Sequence, residues 1–229
     1  MVIMSLLIAE GQQQKNKLTI GEKEVDTRIK AIEFDEENHK YWFTDSNGKH
    51  RELHGVTGAI GEMMGKSFPD TDTVKLAALY GSDVHKDIEN YFNNNGYWFN
   101  DSQLSSEGAK WIVEELKAFC DSLFLDKATA IRCEVMVSDF EGTASKVDVV
   151  VETREGKAYL FDIKTTSTFD RAYCSLQLSV YKRLFQECYG KDVLAMFVLG
   201  TKSKRSYRIL EQESVKVRKV LSINRAKTI

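Results

Sequence analysis

Three acidic residues, Glu134, Asp148 and Asp162, recur at intervals of fourteen, and the last opens the tripeptide Asp162-Ile163-Lys164. Each interval carries a turn signal, Asp139-Phe140-Glu141-Gly142 in the first and Thr153-Arg154-Glu155-Gly156-Lys157 in the second. If both hairpins are symmetric, Glu134 lies opposite Asp148, and Asp148 opposite Asp162, with facing Cβ atoms roughly 4.5–5.5 Å apart. Like charges at that separation repel unless a cation sits among them, and a divalent metal ion fits the place. Acid-x-Lys also occurs at Glu115-Leu116-Lys117 and Glu155-Gly156-Lys157, so the tripeptide alone means little. Asp162 and Lys164 differ in standing on one face of an apolar strand, Tyr159 to Lys164, where charges are seldom collected without a purpose.

The chemistry that suits these residues is phosphodiester hydrolysis. Two or three carboxylates can hold one or two Mg²⁺ or Mn²⁺ ions through hard oxygen donors, and such an ion lowers the pKa of bound water. Asp148 and Asp162 are the expected metal ligands, with Glu134 a third and the Ile163 carbonyl a further donor. Lys164 stands beside the attacking water, where it can orient it or offset developing negative charge.

The elements that must position these groups follow from local pattern. Ala130 to Val137, Ala144 to Glu152 and Ala158 to Thr165 read as a strand meander. Val147, Val149 and Val151 fall on one expected face, as do Tyr159, Phe161 and Ile163; Val150 and Leu160 imply that the other face is partly covered. Before the meander, Val74 to Asn93 reads as a helix with Leu76, Leu79, Val84, Ile88, Tyr91 and Phe92 near one side, Asp70 or Asp72 as its cap and Gly96 as its end. A second helix runs from Gly108 to Leu125. After the meander come a helix from Arg171 to Tyr189 closed by Gly190, a buried strand from Val193 to Leu199, a partner strand from Ser206 to Leu210 and a terminal helix from Ser214 to Arg225. Upstream, strands are expected at Lys30 to Asp35 and Lys40 to Thr44, with a turn at Asp45-Ser46-Asn47-Gly48. Met1 to Ala9 is apolar but short, read as a strand or docking segment rather than a signal peptide or membrane span, and Gln12 to Lys17 is a polar break.

With 229 residues, 42% hydrophobic and 29% charged, the chain is expected to be one soluble domain over 1–229, with 1–28 an N-terminal extension and 202–229 a basic C-terminal segment. That segment holds nine Lys or Arg against two Glu, a balance of +7 within an overall charge of −2. It is either a phosphate-binding face or a solvated helix and strand edge. The four cysteines, Cys120, Cys133, Cys174 and Cys188, lack metal-site spacing and point to buried free thiols in a reducing cytoplasm. The Tyr41, Trp42, Phe43 run reads as strand packing in preference to a base-stacking surface.

Taken together, these motifs resemble the PD-(D/E)XK nuclease superfamily and, within it, the RecB-like exonuclease group, over roughly residues 39 to 200. The resemblance implies an α/β (α+β), restriction-endonuclease-like αβββαβ core with a central mixed sheet flanked by helices, the first carboxylate on the second strand and D/E-x-K on the third. Gly81-Ser82-Asp83-Val84-His85-Lys86-Asp87-Ile88-Glu89 resembles the group's helical Gly…His…Glu motif, which implies that His85 joins the metal. Gln177-Leu178-Ser179-Val180-Tyr181 resembles its Gln-x-x-x-Tyr motif, which implies that Gln177 reaches the site. Leu53-His54-Gly55-Val56-Thr57 is similar to an upstream Ser-Val-Thr segment, with Gly55 in the serine's place. Val147 replaces the proline of the superfamily name, and Ser145 replaces a glycine often found before the first aspartate.

The resemblance implies a Mg²⁺- or Mn²⁺-dependent DNA exonuclease acting on DNA ends or single strands in recombination, repair or phage DNA metabolism, in a bacterial or phage-infected cytoplasm. An endonuclease, a nuclease-fold protein that only binds DNA or a partner, and a small-molecule metalloenzyme remain the alternatives at this point.

Overall fold

A computed structural model of the chain describes residues 25–66, 71–95, 104–123 and 127–228. The expectations for Met1 to Ala9, Gln12 to Lys17, Asp70 and Gly96 lie outside the described residues. Among the described residues, two sheets and five α-helices make up a mixed α/β fold. A short 3₁₀ turn at Thr27–Ala31 precedes a three-stranded antiparallel sheet of β1 (Ile32–Asp35), β2 (Lys40–Thr44) and β3 (His50–Leu53), and α1 (Val56–Met64) follows. Two longer helices come next, α2 (Asp72–Asn95) and α3 (Glu107–Ser122). The main sheet begins with β4 (Ala128–Ser138), β5 (Ala144–Thr153) and β6 (Ala158–Lys164). After α4 (Arg171–Tyr189) it is completed by β7 (Val193–Gly200) and β8 (Arg205–Ile209), and α5 (Ser214–Lys227) closes the described chain. Strand order is β4-β5-β6-β7-β8, with β6 and β7 parallel and every other pair antiparallel. From α3 to β7 the elements run αβββαβ around a mixed sheet, as the fold-class reading expects.

Both faces of the main sheet are buried. Val149, Val151, Phe161 and Ile163 pack with Val84, Ile88, Ile112 and Leu116 of α2 and α3. Val150 and Leu160 pack on the opposite side, with α1, α4, α5 and the small sheet. This is why the strands read as near-continuous apolar runs.

One expected alternation is broken. Val147 packs with Val150 rather than with Val149 and Val151, and on β4 the same reversal separates Ile131 and Cys133 from Val135 and Val137. The two reversals meet at Glu134 and Asp148. Register is kept across them, since Cys133 pairs with Val149 and Val135 with Val147, so Glu134 does lie opposite Asp148. Glu134 itself has φ 50, in the left-handed region.

The second hairpin keeps the symmetric register of Val150 with Leu160, but its ladder stops at Val149 with Phe161, one pair short of the two aspartates. There the Asp148 side chain takes the place of a strand partner: its Oδ2 accepts from the Ile163 N–H at 2.6 Å.

Helix α2 is corrected in two respects. Thr71, whose hydroxyl accepts from the Val74 N–H at 3.3 Å, caps it, and Asp72 lies in its first turn. Leu76 and Leu79 are 67% and 62% exposed, while Val84, Ile88, Tyr91 and Phe92 are buried. Only the second half of the helix lies on the sheet. The smaller differences are that β1 starts at Ile32 rather than Lys30 and that β3 and α1 form where no element is expected from pattern. Cys120, Cys174 and Cys188 are buried, Cys133 is half-buried, and all four are free thiols. Among the described residues no helix is long and apolar enough to cross a membrane.

The first hairpin turn is tied to α5. Asp139 accepts from the N–H groups of Glu141, Gly142 and Thr143, and Arg225 lies 2.9 Å from both Asp139 and Glu141. A Cβ on Gly142 would stand 2.5 Å from Arg225 Cα and 2.6 Å from its nitrogen. Gly142→Ala is expected to push α5 away and lower stability by about 1–3 kcal/mol. Gly58→Ala, where a Cβ meets nothing within 4 Å, is expected to leave stability unchanged or raise it by about 0.5–1 kcal/mol. Urea unfolding midpoints of the two variants check both.

Candidate metal centre and cleft

A cleft of about 870 Å³ opens between the small sheet and α2, above the end of the main sheet. Phe34, His39 and Tyr41 line one wall and Val74, Ala77, Ala78 and Gly81 the other. Each of the site residues expected from sequence, His85, Glu134, Asp148, Asp162, Ile163, Lys164 and Gln177, lines this cleft, as does Tyr181. They arrive from five elements, α2, β4, β5, β6 and α4.

His85 depends on how closely α2 approaches β6. Gly81, one turn earlier, allows that approach, since a Cβ there would stand 3.0 Å from Thr165 Oγ1. His85 Nδ1 then lies 3.6 Å from Glu134 Oε1 and 3.9 Å from Asp148 Oδ1. Among the described residues, His85, Glu134 and Asp148 form the group of three whose ligand atoms all fall within 4.8 Å of one another. Asp162 stands outside that group and pairs with Lys164, whose Nζ donates to Oδ1 at 2.9 Å. Lys164 also donates to Gln177 Oε1 at 3.3 Å, and Gln177 Nε2 donates to the Tyr181 hydroxyl at 3.0 Å. The Ser145 hydroxyl reaches the same Tyr181 oxygen at 3.2 Å. Ser145 is thus built into the support behind the lysine.

The charges are held under strain. Burial drives the Asp162 carboxyl up to about 6 against the pull of Lys164, with a further push from Asp148. Asp148 is also raised by burial, with Glu134 adding to the effect and His85 opposing it. Burial alone would lower the His85 pKa, but Asp148 and Glu134 outweigh it and lift it to about 9. Lys164 is raised for the same reason, Asp162 and Asp148 overcoming its burial. In the metal-free protein His85 and Lys164 are therefore the cations that keep the carboxylates together.

The donor set fits a hard divalent cation. Asp162 Oδ2 is buried and accepts no hydrogen bond, although Lys164 Nζ lies 2.8 Å away off the hydrogen-bonding direction. It is the one such orphaned atom among the described residues that lines the cleft. Carboxylate oxygens with one imidazole nitrogen suit a divalent metal ion.

Among the described residues, the basic segment 202–229 contributes none of those lining the cleft. Arg225 and Lys227 pair instead with Asp139, Glu141 and Glu62, tying α5 to the hairpin turn and to α1. Tyr41 and Phe43 are buried, as packing predicts, and Trp42 stacks on His50 with ring centroids 4.9 Å apart. Sequence reasoning missed Lys146. It also lines the cleft, with its Nζ 3.9 Å from Glu134 Oε2. Its signal was a lysine two residues before Asp148 in a valine-rich strand.

No family model and no curated protein matches the chain. Among solved structures, the crystal structure of a "putative exonuclease" from Eubacterium rectale is similar at 12% identity and a TM-score of 0.32, covering 76% of this chain and 77% of that one. At that TM-score the likeness carries no argument for fold or chemistry, which rest on the residues themselves.

If the group is a metal centre, Mn²⁺ titrated into the protein should bind with a measurable heat. Asp148→Asn and His85→Ala should each weaken that binding by about tenfold or more, since even residues behind metal ligands cost that much when removed. Isothermal titration calorimetry on the folded variants measures it.

Proposed function

We propose that this protein is a Mg²⁺- or Mn²⁺-dependent deoxyribonuclease of the PD-(D/E)XK superfamily and RecB-like group, an exonuclease acting on DNA ends. The observation that carries the reading is the meeting in one cleft of a His85, Glu134 and Asp148 donor group with a buried Asp162 paired to Lys164. The αβββαβ order from α3 to β7, which delivers the three carboxylates and the lysine while α2 brings His85, supports it.

In this reading His85, Glu134, Asp148 and Asp162 hold one or two ions, with the Ile163 carbonyl as a further donor. A bound ion lowers the pKa of water and offsets charge building on the phosphate. Lys164 has donors to spare, so its Nζ orients the attacking oxygen or stabilises the phosphate's developing charge. Gln177 fixes the lysine through their 3.3 Å hydrogen bond, and Tyr181 fixes Gln177. Water adds to phosphorus, the P–O bond on the far side breaks, and the chain ends carry a phosphate monoester and a hydroxyl. The lining also favours a metal-dependent reaction. Glu36, Glu89, Glu134, Asp148 and Asp162 face Lys86, Lys146, Lys164 and the protonated His85, a lining still net negative that repels a phosphate chain until a metal ion offsets it.

Purified protein with Mg²⁺ or Mn²⁺ is expected to degrade end-labelled linear DNA and to stop when the metal is chelated. Asp162→Asn and Lys164→Gln, chosen to preserve shape, should each lower kcat by about a hundredfold or more. Closed circular DNA should remain intact. Cutting of circles would convert the assignment to an endonuclease, and absence of hydrolysis with either metal would sink it.

A further inference from the structure

We propose that Lys146 forms a second phosphate subsite, which holds a non-scissile phosphate of the oligonucleotide chain; the inference rests on the nuclease reading above. A metal ion at the carboxylates serves the phosphate it touches. The neighbouring phosphates of the same strand must still pass a cleft lined by Glu36, Glu89 and Glu134. They need a cation of their own, placed to one side of the carboxylate group and not already spent.

Of the three lysines lining the cleft, Lys164 is bound to Asp162 and Gln177. Lys86 has a side chain 61% exposed and lies 3.7 Å from Glu89, so it is a loosely held surface charge. Lys146 is different. It projects from β5 two residues before Asp148, with its side chain only 23% exposed. Its Nζ sits 4.2 Å from the centroid of the Phe34 ring, on the wall formed by the small sheet. The ring attracts the ammonium without using its hydrogen-bond donors.

Its ion-pair partner among the described residues, Glu134 Oε2, is 3.9 Å away, beyond hydrogen-bonding range. Glu134 also faces His85 and belongs to the donor group. A cation held there takes up the carboxylate's charge and leaves Lys146 uncompensated, a preset site for an anion. The two held lysines therefore flank the carboxylates. Lys164 lies on the Asp162 side, along β6, and Lys146 on the Glu134 side, toward β4 and Phe34. A strand whose scissile phosphate meets the carboxylates runs its next phosphate past Lys146.

The test is steady-state cleavage of a single-stranded oligonucleotide by wild type, Lys146→Ala and Lys146→Arg across a salt series. Lys146→Ala should raise KM about tenfold while kcat changes less than about twofold. The slope of log KM against log salt should fall by about 0.7, one phosphate contact on a single strand. Lys146→Arg should restore most of both. Fluorescence anisotropy with the Asp162→Asn protein, with and without Lys146→Ala, should show the same shift in binding. Unchanged KM and salt slope, or a loss of kcat at constant KM, would overturn the subsite. Wild-type protein that neither cleaves nor binds oligonucleotides would overturn the nuclease reading itself.

Discussion

Negative charge buried at the end of a sheet governs this structure. Asp162 is 1% exposed and Asp148 lies beside it, with Glu134 opposite Asp148 on β4. Burial pushes both aspartates toward their neutral forms, and each carboxylate worsens the position of the next. The arrangement persists because positive or donor groups come from every side: His85 from α2, Lys164 from β6, and the Ile163 amide from a place where the β5–β6 ladder has ended. Each of these needs its own element in position, so the charge problem is tied to the fold as a whole.

The rest of the molecule supplies the rigidity that this requires. The main sheet is covered on both faces, so its strands cannot slide to relieve repulsion at their ends. Gly81 lets α2 come close enough to β6 for His85 to reach the carboxylates, and Gly142 lets α5 close over the first hairpin turn. Behind Lys164, the chain from Gln177 through Tyr181 to Ser145 links α4 back to β5 and fixes the lysine's direction. An ion pair of this depth contributes little net stability over an apolar pair, because desolvation offsets attraction. A pair at this depth is better accounted for by a use other than holding the chain together.

Much of the site was legible because its determinants are local. The turn signals at Asp139 to Gly142 and Thr153 to Lys157 set two hairpin registers, and those registers bring Glu134 opposite Asp148 without further information. The helix from Arg171 to Tyr189 matched in both bounds, since its apolar positions and closing Gly190 are contiguous in sequence. What escaped depended on tertiary context. Helix α1 carries Gly58 and Gly61 in nine residues, which hides it from propensity, and it forms because Val56, Ala59 and Ile60 are buried. Leu76 and Leu79 fit the periodicity of α2, yet that half of the helix borders the cleft. Val147 changed sides because both strands reverse their alternation at one level, which no period-2 pattern records.

Glu134 occupies a left-handed backbone site within a strand, where a long side chain is costly and glycine or asparagine fits more easily. A lineage under selection for folding alone would drift at this position toward those smaller residues. Glutamate at such a strained site is accounted for by a use for its carboxylate. Position 134 is thus where two selective pressures part company, and the residue found there in any divergent copy of this fold reads out which of them prevailed.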